Sequence, residues 1–211
     1  MSIEVVLEGK LEDAADYEGY TRLIKELAEK WKLKMEEYED CSIIEVCPEG
    51  YIEVTYEESY LSISAQTNVA GPGYHAFVCD FFAAIVEVSP VALNVNDPTQ
   101  YYTKRDFTHL KEDVFYRWLD DLADYIEKNA DQYQSLCISW PMNYYKPKEL
   151  AGYVVTPLGY IANEDFLHMD IHALAHRFFI WNEKDRGALY YRNAALNLLW
   201  KECYYEYSNM N

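Results

Sequence analysis

Between Lys34 and Lys104 the chain has no lysine and no arginine, yet these 69 residues carry twelve carboxylates: Glu36, Glu37, Glu39, Asp40, Glu45, Glu49, Glu53, Glu57, Glu58, Asp80, Glu87 and Asp97. With a formal net charge of -18 over 211 residues, two thirds of the excess comes from one third of the sequence. A field of one sign steers or rejects partners, whereas interspersed charge mainly keeps a surface soluble. Nucleic acid and anionic membrane surfaces are excluded as partners, because both need Lys and Arg to displace counterions. A basic protein or a cationic ligand is the partner that the charge fits.

Other absences narrow the reading further. The five cysteines, Cys41, Cys47, Cys79, Cys137 and Cys203, are odd in number, widely spaced and form no CxxC. Neither a disulfide framework nor a zinc ribbon is indicated, and reduced, mostly buried thiols are expected. No run of about 18 apolar residues occurs. The opening MSIEVVLEGKLED lacks a basic n-region and an apolar h-region, so a soluble protein of the cytoplasm is expected. HExxH, GxSxG, GxGxxG and GxxxxGK[ST] are all missing, which removes the sequence warrants for the commonest metal, nucleophile and phosphate sites.

What is present is a chain that is half apolar, with 21 tyrosines. That composition excludes disorder and supports a substantial core. Tyrosine rings suit half-buried faces and interfaces, or the edges of a core. Tyr20, Leu23, Ile24, Leu27 and Trp31 recur with helical period, predicting a helix from Asp16 to Met35 after a strand at Ile3 to Leu7. Three strands follow, Ile43 to Val46, Tyr51 to Tyr56 and Tyr60 to Gln66, with a type I turn expected at Cys47-Pro48-Glu49-Gly50. Gly71-Pro72-Gly73 punctuates the chain before a helix marked by Phe77, Phe81, Ala84, Ile85 and Val88. The first half, 1–89, therefore reads β-α-β-β-β-α, an antiparallel meander packed with helices.

The second half, 90–211, is expected to be helix-rich. A strand at Val91 to Val95 precedes a helix carrying Phe107, Leu110, Val114, Trp118, Leu122 and Tyr125. Strands at Leu136 to Trp140 and Tyr153 to Thr156 flank a basic, aromatic loop from Trp140 to Lys148. One helix is predicted from Glu164 to Phe179. Another runs from Asp185 to Tyr207, with Leu189, Leu196, Leu199, Trp200, Cys203 and Tyr207 on one side. No flexible linker separates the halves, so residues 1–211 are expected to form a single α+β unit.

Strand alternation turns Ile52, Val54 and Tyr56 one way and Tyr51, Glu53 and Glu57 the other. Leu61, Ile63 and Ala65 join the inner set, while Tyr60 and Glu45 join the outer one. The expected partner-binding residues are Glu36, Glu37, Glu39, Asp40, Glu45, Tyr51, Glu53, Glu57 and Tyr60, with tyrosines as anchors and carboxylates to steer and pair with arginine. The plainer reading is an ordinary solvated sheet face.

The leading expectation is thus a non-enzymatic module without a cofactor that engages a basic protein, as an inhibitor or a toxin-immunity protein does. The alternative is a metal-dependent, hydrolase-like enzyme centred on His168 and His172, one turn apart, holding a divalent ion. His168 and His176 are about 12 Å apart on such a helix and cannot share one. The remaining ligands would come from Glu164, Asp165, Asp170, His109 or a cysteine, while surface packing beside Arg177 accounts for the same histidines. A third reading is a homo-oligomer that uses the Tyr-rich surface on itself. His75 and Cys79 are also one turn apart, but Cys79 lies between Phe77 and Phe81, where packing outweighs nucleophilic catalysis. Asp120-Asp121-Leu122-Ala123-Asp124 has DDxxD spacing, explained as the wet side of a helix. Gly71-Pro72-Gly73 is read as a turn, not an anion cradle.

Overall fold

The computed structural model describes residues 2–11, 16–129, 136–138 and 150–202. The fold is α+β. Strands β1 (Glu4–Lys10), β2 (Lys34–Glu37), β3 (Cys41–Cys47), β4 (Gly50–Glu57), β5 (Tyr60–Gln66) and β6 (Asn94–Asn96) form one antiparallel sheet in the order β2-β3-β4-β5-β1-β6. Helices α1 (Asp16–Lys30) and α2 (Pro72–Val88) supply its apolar cover. In β1, β3, β4 and β5 every second residue is buried, so Val5, Leu7, Ile44, Ile52, Val54, Leu61 and Ile63 enter the core with Ile24, Phe81, Phe82 and Ile85. Full burial of such side chains contributes about 1.5–3 kcal/mol each, which fixes the register, because a one-residue slip would expose the whole set.

Two local readings differ from the structure. Helix α1 stops at Lys30, because Lys32 takes a left-handed backbone (φ 59) and the chain turns into β2. Trp31 N still donates to Leu27 O one turn back at 3.0 Å, and its ring packs edge-on against Phe77 and Phe81, both at 5.3 Å. In the β3–β4 turn Glu49, the third residue, takes a left-handed backbone (φ 60), which the expected type I turn does not have. Gly50 is needed for space: a Cβ there would lie 2.5 Å from the Cys47 sulfur and 3.0 Å from the Tyr74 ring.

The second half contains α3 (Tyr101–Lys104), α4 (Phe107–His109), a π-helical segment (Leu110–Tyr116) and α5 (Arg117–Lys128). Helix α5 buries Leu119, Ala123 and Ile126, leaving Tyr125 half exposed where an inward position was expected. Strands β7 (Leu136–Cys137), β8 (Tyr153–Thr156) and β9 (Gly159–Ala162) make a small second sheet, with β7 and β8 parallel. The expected helix from Glu164 to Phe179 is two helices, α6 (Asn163–His168) and α7 (Ile171–Phe178). Met169 is extended between them, and the Asp170 carboxylate starts α7 afresh by accepting from the His172 and Ala173 amides. Asp is a strong N-cap, and here it overrides the apolar period.

Helix α8 (Ala188–Glu202) reverses its expected polarity. Asn193, Asn197 and Lys201 face inward, while Leu189, Leu196, Leu198 and Leu199 are exposed. Asn193 donates to Phe179 O at 2.9 Å and Asn197 to Pro157 O at 2.7 Å, and Lys201 pairs with Glu49.

The two halves meet at the glycine-proline-glycine bend. Gly73 N donates to Trp181 O (2.9 Å) and Trp181 N donates to Ala70 O (2.8 Å). A Cβ at Gly73 would lie 2.1 Å from the Trp181 ring, so only glycine admits this contact. The Arg186 guanidinium then covers the Trp181 ring at 4.4 Å and donates to Val46 O at 3.2 Å. Cys203, Tyr207, the 140–148 loop and the outer part of the strand expected through Trp140 lie outside the described residues. No helix among the described residues is long and apolar enough to cross a membrane.

Candidate partner-binding face

The side of the six-stranded sheet turned away from the core is ordered by strand register. Cross-strand partners share a face, so one row runs Glu36, Ile43, Glu53, Ser64, Val6 and Asn96. The next runs Lys34, Glu45 and Tyr51, and on the far side lie Cys41, Thr55, Ser62, Glu8 and Asn94. The last row brings together Glu57, Tyr60 and Lys10. Tyr51 and Tyr60 are 55% and 49% exposed, which leaves each ring free to meet another surface. They stand at opposite ends of β4 and β5, roughly 20 Å apart at about 3.3 Å per residue.

Of the nine residues expected from sequence, the register brings Glu36, Glu45, Tyr51, Glu53, Glu57 and Tyr60 onto this one face. Glu37 belongs to the other side of β2, where Lys25 of α1 reaches its carboxylate at 2.6 Å. Glu39 and Asp40 sit in the β2–β3 turn and, with Glu37, line a cleft of about 730 Å³ whose far wall includes Tyr17, Arg22, Lys25 and Tyr56. The field is therefore split between a sheet face and an edge cleft. Lysines do border the face: Lys34 pairs with Glu36 and stands across from Glu45, and Lys10 stands across from Tyr60. Lys34 and the Tyr38 hydroxyl, which donates to Glu36 at 2.7 Å, hold the Glu36 carboxyl below the usual range.

Sequence reasoning missed Glu4 and Glu8. Both are on β1, which inserts between β5 and β6 and turns these carboxylates to the same face. The signal was the alternation Glu4, Val6, Glu8 against Val5 and Leu7, but nothing local says that β1 pairs with a strand some fifty residues on.

The histidines separate. His168 ends α6 and His172 belongs to α7, so the one-turn spacing assumed for a shared ion is absent. His172 instead meets the edge of the Tyr116 ring at 5.1 Å, with Glu112 at 3.7 Å. Among the described residues, the group of His, Cys and acidic side chains close enough to share an ion is His75, Cys79 and Asp97, whose ligand atoms lie within 4.8 Å of one another.

That group is already bonded. Thr67 donates to Ile3 O (3.0 Å) and meets His75 Nδ1 at 2.9 Å, while Thr99 lies 3.1 Å from Nε2 and donates to Asp97 Oδ1 at 2.7 Å. Asp97 also accepts from the Thr99 and Tyr102 amides, starting α3. Burial pushes the Asp97 carboxyl up, but the hydrogen bond and charge of His75, with the donors from Tyr102 and Thr99, outweigh it and hold the group at about 2. Burial and then the Asp97 charge push the Cys79 thiol well above its ordinary range, which removes the thiolate a nucleophile needs. The cluster is a buried polar lock between α2 and the segment that leads into α3. The aspartates of DDxxD are exposed along α5.

No protein-family model matches the chain, and no curated protein does. Among solved structures, the NMR structure of PA4090 from Pseudomonas aeruginosa is similar over 44% of this chain and 95% of that one, at 13% identity and a TM-score of 0.27. A likeness at that level bears on neither fold nor function.

Proposed function

We propose that this chain is a non-enzymatic binding protein of the cytoplasm whose acidic sheet face engages a basic protein partner, as an inhibitor or toxin-immunity protein would. The observation that carries the reading is the register: Glu4, Glu8, Glu36, Glu45, Glu53 and Glu57 share one face with the half-exposed Tyr51 and Tyr60. Six carboxylates against Lys10 and Lys34 leave that face net negative. With strands about 4.8 Å apart, the face measures roughly 20 by 24 Å, about 480 Å² in plan, or somewhat over half of the about 800 Å² that a standard interface takes from each partner. Carboxylates of this kind speed encounter and pair with arginine, while the tyrosines offer rigid apolar anchors.

The test is capture from a lysate of the native cell at low salt, repeated at about 0.5 M salt, where the Debye length falls to roughly 4 Å, and repeated with Glu45→Lys/Glu53→Lys. A basic protein retained by the parent at low salt, released at high salt and not held by the folded double variant is the expected result. Retention by the double variant, or a partner of acidic character, overturns the proposal.

A further inference from the structure

Helix α7 carries two histidines one turn apart. His172 and His176 stand at i and i+4, so their Cβ atoms lie about 5–6 Å apart on one face. The break at Asp170 that took His168 out of this helix left that pair intact. The face looks across at the π-helical segment. His172 meets the edge of the Tyr116 ring at 5.1 Å, and His176 Nδ1 lies 3.4 Å from the Asn182 amide, which itself bonds the Tyr116 hydroxyl at 2.9 Å. Both imidazoles therefore flank one tyrosine of Leu110–Tyr116.

Glu112 brings a carboxylate from the same segment. Its Oε2 is 3.7 Å from His172 Nε2, and the side chains of His172 and Glu112 are 56% and 35% exposed, so both atoms are open to a ligand. That separation is too long for a hydrogen bond. It is close to the roughly 3.4 Å between two ligand atoms that each sit about 2.1 Å from a tetrahedral zinc ion. His176 is part exposed, and turning about its two side-chain bonds swings its ring towards the other two. The buried group of His75, Cys79 and Asp97 is the opposite case, because Thr67 and Thr99 already occupy both of its ring nitrogens.

The backbone under the pair is held at both ends. Asp170 caps the helix two residues before His172, and Asn193 and Arg192 of α8 donate to the His176 carbonyl at 3.4 and 3.5 Å. A site carried on a fixed helix loses little order when it closes on a ligand. The neighbouring cation, Lys111, is drawn to Glu183 at 2.8 Å and leaves the Glu112 carboxylate free of a competing ammonium. Two imidazole nitrogens and one carboxylate oxygen are the donor set of zinc sites that keep an open position, whereas magnesium and calcium take oxygen donors.

We propose that His172, His176 and Glu112 bind one divalent transition-metal ion of the zinc type, which clamps α7 to the π-helical segment. Such segments recur at functional sites, and an ion held between this one and α7 gives its irregular geometry a use. The site draws on none of the residues of the acidic sheet face, so it stands or falls independently of the function proposed above.

Calorimetric titration of the full chain, free of any histidine tag and first stripped with chelator, with zinc chloride and in parallel with magnesium chloride tests it. The expected result is one zinc ion per chain, with magnesium at least a hundredfold weaker. His172→Ala and His176→Ala should each weaken zinc binding at least tenfold, and Glu112→Gln several-fold. His168→Ala, on α6, should leave it unchanged, which separates the paired histidines from histidine content alone. His172 and Glu112 are at the surface, so if His176→Ala fails to fold, the other two variants carry the test. Loaded with cobalt(II), the chain should lack the thiolate charge-transfer absorption that an ion at Cys79 would give. No zinc binding, equal binding of magnesium, unchanged affinity in folded His172→Ala, or a thiolate band overturns the proposal.

Discussion

The His75 Nε2 and the Asp97 Oδ1 lie 3.3 Å apart, and the two side chains are 0% and 2% exposed. One is on α2 and the other on the segment after β6, and Thr67 and Thr99 bond the imidazole on its two sides. This polar knot sits within an apolar core, where removing one partner costs more than the pair contributes.

Acid should loosen it. A carboxyl held at about 2, against an ordinary 3.8, stabilises the fold fully above pH 4 or so, and that stability drains away as pH falls from about 4 towards 2. The shift corresponds to roughly 2 kcal/mol. Urea unfolding between pH 7 and pH 2 should show an acid limb that is shallower in Asp97→Asn, which is itself less stable at pH 7. An identical acid limb in parent and variant would show that Asp97 does not carry it.

Two glycines make a matched pair. Gly73→Ala forces a methyl against the Trp181 ring and the Glu183 carbonyl, and should destabilise by about 1–3 kcal/mol. A methyl at Gly19, within α1, would meet nothing within 4 Å, so Gly19→Ala should stabilise by up to about 1 kcal/mol. Thermal melts of the two variants, shifted in opposite directions, are the expected outcome; a neutral Gly73→Ala would mean that the bend yields.

Thiol chemistry should sort by burial. Cys79 is buried with its thiol pushed far up, and burial pushes Cys47 up to about 12, while Cys41 lies on the outer sheet face with intermediate exposure. Under native conditions at pH 8 a thiol reagent should modify Cys41 well before Cys47 or Cys79, read by peptide mass. Early labelling of Cys79 would contradict the buried lock.

Arg186 spans the halves by stacking on Trp181, Phe77 and Tyr190 while donating to Val46 O. Arg186→Ala should cost about 1–3 kcal/mol, and Arg186→Lys should restore little, because a point ammonium cannot stack and reach the carbonyl together. Full rescue by lysine would reduce the contact to simple charge.

The meander was legible because alternation in Ile52, Glu53, Val54 and Thr55 reports its own faces, and so were most residues of the acidic face. What was not legible depended on distant pairing or on single polar residues. Glu4 and Glu8 join the face only because β1 inserts beside β5, a contact with no local trace. Asp170 broke a helix whose apolar period ran through it, and with it went the spacing of His168 and His172. Helix α8 misled most, since its leucines repeat as a buried stripe would while Asn193 and Asn197 hold it by hydrogen bonds to carbonyls left over at the ends of other elements.

That fastening gives α8 a temperature character unlike that of the sheet. Apolar packing weakens on cooling, whereas amide-to-carbonyl bonds such as those of Asn193 and Asn197 do not depend on water's entropy in the same way. With its leucines in solvent and aromatic contacts at Tyr190 and Trp200, α8 is tethered chiefly by enthalpy. It is therefore expected to hold in the cold and to loosen before the six-stranded sheet as the molecule warms.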